Sequence, residues 1–219
     1  MKKVFRARMN GYGPDPDDER IWNGEEERKV MSSNKNKTSL NVSNTVLTAL
    51  FMGLIVAMTL IIRIPVPATH GYIHLGDSMI FLAVLALGKK NGALAAGIGS
   101  ALADVIGGYA IYAPITLVVK ALMAYIVGVF IERAVKNGRF AGSGGKAITI
   151  IGMALGGVLM VAGYYIAEVF MYGNWLVPLS GVGMNCIQFA VGGAIAFALS
   201  QALEKTPAGK NFAYSLGKK

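Results

Sequence analysis

Four ionisable residues interrupt otherwise apolar stretches of the sequence: Asp77, Asp104, Lys120 and Glu168. If these stretches cross a membrane, each charge costs about 2.5–3.5 kcal/mol at a helix centre. Such a residue therefore needs a partner, a water-filled cavity or a position near the interface. These side chains could form hydrogen bonds and ion pairs with a small polar molecule. No nucleophile and base have supporting spacing, so we predict neither a catalytic residue nor an enzyme.

Other hydrogen-bonding side chains fall at similar depths along the apolar stretches. Asn185 and Gln188, three residues apart, share one face of the last stretch. An aromatic ring could stack on a guest, while Lys120 or an acid contacts its ring nitrogen or hydroxyl groups. The predicted substrate-binding set is Asp77, Asp104, Tyr112, Lys120, Tyr164, Glu168, Asn174, Trp175, Asn185 and Gln188.

Structural roles remain open for each of these residues. Asp77 follows Gly76 and would suit a helix cap. Asp104 or Glu168 would serve to neutralise Lys120. The tyrosines and Trp175 would suit an interfacial belt, and the two amides would suit interhelical hydrogen bonds. His70, His74 and Asp77 have metal-ligand spacing, but Pro65 and Pro67 precede them, so we predict no metal and no cofactor.

The elements that must position these groups are membrane helices. The chain is 54% hydrophobic and only 15% charged, with 28 glycines, a balance typical of helices packed in lipid. A bilayer core takes roughly 20 helical residues. Six apolar spans are predicted: Asn44–Ile62, Tyr72–Gly88, Gly92–Gly108, Tyr109–Ile131, Ala147–Tyr172 and Gly181–Leu203. The predicted fold is an all-α polytopic membrane protein with six transmembrane helices in residues 41–205.

Basic residues in alternate loops predict the orientation. They are Lys35, Lys37, Lys89, Lys90, Arg133, Lys136, Arg139, Lys146, Lys205, Lys210, Lys218 and Lys219, whereas the opposite loops carry only Arg63. The positive-inside rule then places both termini in the cytoplasm. The net charge of +9 is thus a topology signal, and no nucleic-acid partner is predicted. Residues 1–40 are predicted to be a disordered polar cytoplasmic tail, with Met31 a candidate native start, and 206–219 a basic cytoplasmic tail.

This topology gathers the buried polar groups in the outer half of the bundle, whereas the inner halves are apolar. That pattern indicates a receptor for a small polar molecule arriving from outside. The alternative is a membrane scaffold or assembly protein without a small-molecule ligand, whose polar residues only hold the bundle together. Ala49, Gly53 and Ala57 form a small-residue stripe on the first span, which serves either internal packing or an external partner helix.

Three features of the sequence resemble a known family: the segment Gly71-Tyr72-Ile73-His74-Leu75-Gly76-Asp77-Ser78, the Lys89-Lys90 turn and the Pro114 to Lys120 spacing. Over Asn41 to Leu203 the sequence resembles the S components of energy-coupling factor transporters, most of all the hydroxymethylpyrimidine or pyridoxine subgroup. The resemblance implies a multi-pass cell-membrane protein of six helices that binds a vitamin at the extracellular side.

The resemblance also implies partners. Ala49, Gly53 and Ala57 would dock onto a transmembrane coupling subunit driven by two ATPase subunits, and the S component would topple in the lipid to release its cargo. The chain's own Gly144-Gly145-Lys146-Ala147 is no Walker A motif, because Phe140 and Ala147 replace the required glycine and Ser/Thr.

Overall fold

The computed structural model of the protein describes residues 42–66, 71–136, 143–204 and 206. The chain divides into two compact units, Met1–Thr45, of which residues 42–45 are described, and Val46–Lys219. The predicted tails, 1–40 with its candidate start Met31 and 206–219, lie outside the described residues apart from Thr206 and stay predictions. Outside them too lie His70, Lys35, Lys37, Arg139, Lys205, Lys210, Lys218 and Lys219.

Five helices in the described part of the chain are long and apolar enough to cross a membrane. They are α1 (Val42–Ile61), α2 (Gly76–Gly107), α3 (Ala113–Lys136), α4 (Ser143–Tyr172) and α5 (Leu179–Glu204). Four of them match the predicted first, fourth, fifth and sixth spans to within about five residues, because a bilayer core of about 30 Å demands a long apolar run that is visible in sequence. The helical, polytopic architecture agrees with the prediction.

Most of the predicted second span and nearly all of the third lie in α2, which is broken at Gly88. Gly88 has φ 76° and ψ 179°, a backbone conformation that glycine adopts without steric cost. A Cβ built on Gly92 would lie 2.9 Å from the Cα of Val84. Residues eight apart in a straight helix are separated by about 12 Å. The chain therefore turns back at Gly88, and the two arms of α2 pack against each other.

A β-hairpin precedes α2, where the sequence predicted the start of a helix. Strands β1 (Arg63–Val66) and β2 (Gly71–His74) pair antiparallel, with Arg63 opposite His74. The predicted start of the second span at Tyr72 is wrong, since Tyr72 lies in β2 and the helix begins at Gly76. The run Tyr72-Ile73 is apolar but short and β-prone, and such a run has no distinctive period.

The core of Val46–Lys219 is centred on α2, which packs against α3 and α5. Phe81, Met123 and Met160 are fully buried in one cluster that joins α2, α3 and α4. Large apolar side chains are exposed on all five helices, among them Leu50, Ile106, Leu122, Val158 and Ile187. So apolar an exterior suits contact with lipid rather than water.

Candidate functional site

A buried ion pair joins α2 to α3. Lys120 Nζ lies 2.5 Å from Asp77 Oδ1, and both side chains are fully buried. The lysine also contacts Met160 Sδ at 2.9 Å and lies 5.6 Å from the centre of the Tyr164 ring. Because α3 begins at Ala113 and not at the predicted Tyr109, Lys120 is only about 10 Å from the helix start.

Gln188 connects this ion pair to the hairpin. Its Nε2 donates to Asp77 Oδ2 at 3.0 Å, and its Oε1 accepts from the His74 backbone N–H at 3.0 Å. Asp77 is in the first turn of α2, but the helix cap at Leu75 has no side-chain hydrogen bond. The carboxylate of Asp77 thus binds side chains of α3 and α5 instead of capping α2.

His74 is neutral in this environment. Burial, reinforced by the positive charge of Lys120 and opposed by Asp77, lowers the pKa of His74 to about 4. Its Nδ1 accepts from the Gly76 backbone N–H at 3.0 Å and lies 3.5 Å from Thr59 Oγ1. An accepting Nδ1 requires the proton on Nε2, so the histidine fixes the turn from β2 into α2 as an uncharged acceptor.

A second polar cluster surrounds Asp104 near the carboxyl end of α2. The Tyr72 hydroxyl donates to Asp104 Oδ1 at 2.7 Å, and the Tyr164 hydroxyl donates to Thr116 Oγ1 at 3.0 Å. Burial and the nearby Asp104 carboxylate raise the pKa of Tyr72, so its hydroxyl keeps its proton. Asp104 Oδ2 is buried and has no hydrogen-bond partner among the described residues.

Glu168 on α4 contributes the second carboxyl group. The Tyr112 hydroxyl lies 3.4 Å from Glu168 Oε1 and 2.9 Å from the Tyr172 hydroxyl. Burial and these two neighbours raise the pKa of Tyr112, which therefore remains a hydroxyl donor. The tyrosine lies in the turn before α3, so this cluster ties that turn to the end of α4.

These groups line one small cavity of about 40 Å³. On a scale of about 10–15 Å³ per water, that volume holds roughly three water molecules. The hairpin and helices α2 to α5 all contribute to its wall, which consists of Val66, Tyr72, His74, Asp104, Tyr112, Thr116, Tyr164, Glu168, Gly181, Asn185 and Gln188. A larger crevice of about 410 Å³ between α4 and α5 is lined chiefly by apolar side chains, including Val158 and Phe189, and lacks convergent polar groups.

The structure brings six of the ten predicted site residues to this cavity: Asp104, Tyr112, Tyr164, Glu168, Asn185 and Gln188. Asp77 and Lys120 are off its wall and reach it through Gln188. Asn174 and Trp175 lie in the exposed turn between α4 and α5, where Asn174 Oδ1 accepts from the Leu176 backbone N–H at 2.7 Å and Trp175 is 64% exposed.

The cavity also includes residues that sequence reasoning missed. Tyr72 and His74 are two apart on β2, so a strand places both side chains on one face. Recognising a strand there would have found them. Thr116 carried no signal beyond its position one turn before Lys120 on α3. Among the described residues no group of three His, Cys, Asp or Glu could hold a metal ion.

The predicted partner stripe is open in this structure. Ala49, Gly53 and Ala57 are all exposed on α1. A Cβ built on Gly53 would meet nothing within 4 Å. Internal packing in the described part of the chain therefore does not use this stripe, and its role as a docking surface stays a prediction.

Comparison with known proteins gives three similarities. The family model described as ECF-type riboflavin transporter, S component, matches residues 39–205. The chain is 26% identical over 167 residues to the thiamine precursor transporter HmpT of Lactococcus lactis subsp. cremoris, covering 76% of this chain and 90% of HmpT. It is 42% identical over 115 residues to an uncharacterized Pyrococcus woesei protein from the gap 3′ region, covering 52% of this chain and 71% of that protein.

Proposed function

The chain belongs to the S-component family of ECF-type transporters, and from that membership we propose that it captures a small water-soluble vitamin or vitamin precursor outside the cell. It passes the cargo inward through a transmembrane coupling subunit and two ATPase subunits. The family is one of transport proteins and not of enzymes. The observation that carries the proposal is the polar cavity that the hairpin and four helices build within an otherwise apolar bundle.

The two ends of the bundle differ in charge, which supports an outward-facing cavity. Asp104 and Glu168 lie at the end where α2 and α4 finish. At the other end Lys89 forms an ion pair with Glu132 at 3.0 Å, and Lys146 donates to Gln201 at 2.5 Å. Basic residues favour the cytoplasmic side. In our proposal both arms of α2 cross the cell membrane, giving six crossings and cytoplasmic termini.

A guest with one ring requires the smallest adjustment of this site. The 40 Å³ cavity is far too small for the three fused rings of riboflavin, and even a single ring requires the wall to move. The hairpin residues Val66, Tyr72 and His74 are the part of the wall outside the membrane helices and are the natural entry. Hydroxymethylpyrimidine and pyridoxine are our leading candidates, and the similarity to a thiamine precursor transporter supports the first.

Roles within the site follow from position. The guest contacts Asp104, Tyr112, Tyr164, Glu168 and Asn185, which line the cavity. Asp77, Lys120 and Gln188 form the support beneath it, because their polar atoms are already engaged with one another. Asn174 and Trp175 lie in the exposed turn and act on guest entry rather than on the bound guest.

Thermal unfolding of the purified protein with a panel of vitamins tests the proposal. A bound ligand at about 100 times its Kd stabilises by about 2.7 kcal/mol. We expect stabilisation by hydroxymethylpyrimidine or pyridoxine and not by pantothenate or queuosine precursors. Asn185→Leu should abolish the shift. Ser200→Ala should preserve it, since the Ser200 hydroxyl donates to the Phe197 carbonyl far along α5 from the cavity. If no compound raises the unfolding temperature, the scaffold alternative prevails.

A further inference from the structure

Asp104 has an acceptor atom that the protein leaves unused. The residue is only 5% exposed, and Tyr72 satisfies its Oδ1. Asp104 lines the cavity, and its Oδ2 is buried with no hydrogen-bond partner among the described residues. Leaving a buried acceptor without a hydrogen bond costs free energy, so groups of this kind mark places where something else binds. A guest that donates a hydrogen bond would satisfy it.

Two carboxyl groups, those of Asp104 and Glu168, line the described wall of the cavity, and no lysine or arginine does. Lys120 is a buried cation off this wall, and its ammonium group is engaged by Asp77 and Met160. The described wall therefore offers no lysine or arginine to a negatively charged guest.

Three hydrogen-bond donors of the wall are engaged by other protein groups. The Tyr72 hydroxyl donates to Asp104, and the Tyr164 hydroxyl donates to Thr116. The Gln188 amide donates to Asp77. These three donors are engaged within the protein, whereas Asp104 Oδ2 remains for a guest that carries an N–H or O–H group.

On the premise of the proposed function, we infer that the site selects neutral or cationic ring compounds that place an N–H or O–H donor at Asp104 Oδ2, and that it rejects guests bearing a carboxylate or phosphate. Asp104 is the specificity-determining residue. Its carboxylate attracts the donor of a correct guest and repels an anion that occupies the same position.

Near-isosteric pairs of probes test this inference on the full-length wild-type protein. Pyridoxine is compared with 4-pyridoxic acid, and hydroxymethylpyrimidine with its 5-carboxylate, by isothermal titration in detergent at neutral pH. We expect the acid of each pair to bind about 100-fold more weakly, the ratio for a charge roughly 6 Å from the carboxylate at an effective dielectric of about 20. An acid that binds as tightly as its neutral partner would overturn the inference.

Asp104→Asn separates recognition from structure. The variant keeps an Oδ1 acceptor for Tyr72 but loses the charge and the second acceptor. We expect the neutral probes to bind about 10- to 100-fold more weakly, as for loss of a charge-assisted hydrogen bond, and the preference for neutral over acidic probes to shrink. Ser200→Ala should leave both affinities unchanged. A merely structural role for Asp104 would weaken both members of a pair equally, which contradicts the inference.

The outcomes also distinguish the inference from the proposed function. If wild-type protein binds a pair without preferring its neutral member, the charge selectivity is wrong and the receptor function stands. If wild-type protein binds no probe of either kind, both are wrong. Should Asp104→Asn fail to fold, the comparison of wild-type affinities still decides the charge preference.

Discussion

Replacing Lys120 with methionine removes one half of the buried ion pair. Both partners are fully buried, so the change leaves the Asp77 carboxylate with Gln188 as its remaining described hydrogen-bond donor. Removing one member of a buried pair costs about 3–5 kcal/mol, because the other charge loses its compensation. At about 2–4 °C per kcal/mol for a protein of this size, we expect the unfolding temperature to fall by about 6–20 °C.

A double-mutant cycle isolates the pair itself. Asp77→Asn, Lys120→Met and the double variant are unfolded by heat in the same detergent as the wild type. Asparagine keeps a side-chain oxygen for the Gln188 amide while removing the charge. We expect the double variant to be more stable than the sum of the single losses predicts, with a coupling of about 2 kcal/mol. The control is Lys89→Met, since the Lys89–Glu132 pair is about a quarter exposed and solvent screens it, so it should contribute much less to stability.

Two results would refute this reasoning. If Lys120→Met lowers the unfolding temperature no more than Lys89→Met does, burial of the pair does not matter. If the two single losses simply add, Asp77 and Lys120 do not stabilise each other. Ligand affinity supplies a further check. If the Asp77–Lys120 pair only supports the site, the folded double variant should bind its vitamin with an affinity within about threefold of that of the wild type.

Three further predictions concern the hairpin and the exposed stripe. Lowering the pH from 7 to 5 should destabilise the wild type by about 2 kcal/mol more than the His74→Gln variant, as measured by thermal unfolding. The imidazole of the unfolded chain (pKa about 6.5) binds a proton that the buried imidazole (pKa about 4) does not, so stability present above pH 6.5 is lost as the pH falls towards 4. Equal pH profiles of the two proteins would contradict this prediction. Tyr72→Phe should cost about 1–3 kcal/mol by leaving Asp104 Oδ1 without its donor, with faster hydrogen exchange in β2; unchanged exchange would argue against that contact. Gly53→Leu should reduce co-purification of the coupling subunit while ligand-induced stabilisation persists, and undiminished co-purification would exclude the stripe as the docking surface.

The helices could be predicted from sequence because a lipid-spanning segment needs a long apolar run, which no other feature of the chain imitates. The hairpin could not, since Tyr72-Ile73 is too short to show a period. The polar groups could be assigned to one end of the bundle, and six of the ten predicted site residues line the cavity.

The partner of Lys120 could not be predicted, because three acids lie at comparable depths and hydropathy says nothing about which helix faces which. Interhelical packing decides it. A Cβ built on Gly192 would lie 2.8 Å from Asp77 Cβ, so only a residue without a side chain lets α5 approach closely enough for Gln188 to bind that carboxylate. Because this glycine lies 72 positions along the chain from Lys120, the residues next to the lysine do not reveal its partner.

The Gln188 side chain divides its two polar atoms between separate tasks. Its oxygen accepts from the backbone of β2, and its nitrogen donates to the charged pair below. Releasing β2 breaks this neutral hydrogen bond, of about 0.5–1.5 kcal/mol, together with the Tyr72–Asp104 hydrogen bond, but it leaves the Asp77–Lys120 pair intact. In our proposal the hairpin can therefore move aside for a guest while the ion pair that joins α2 to α3 stays closed.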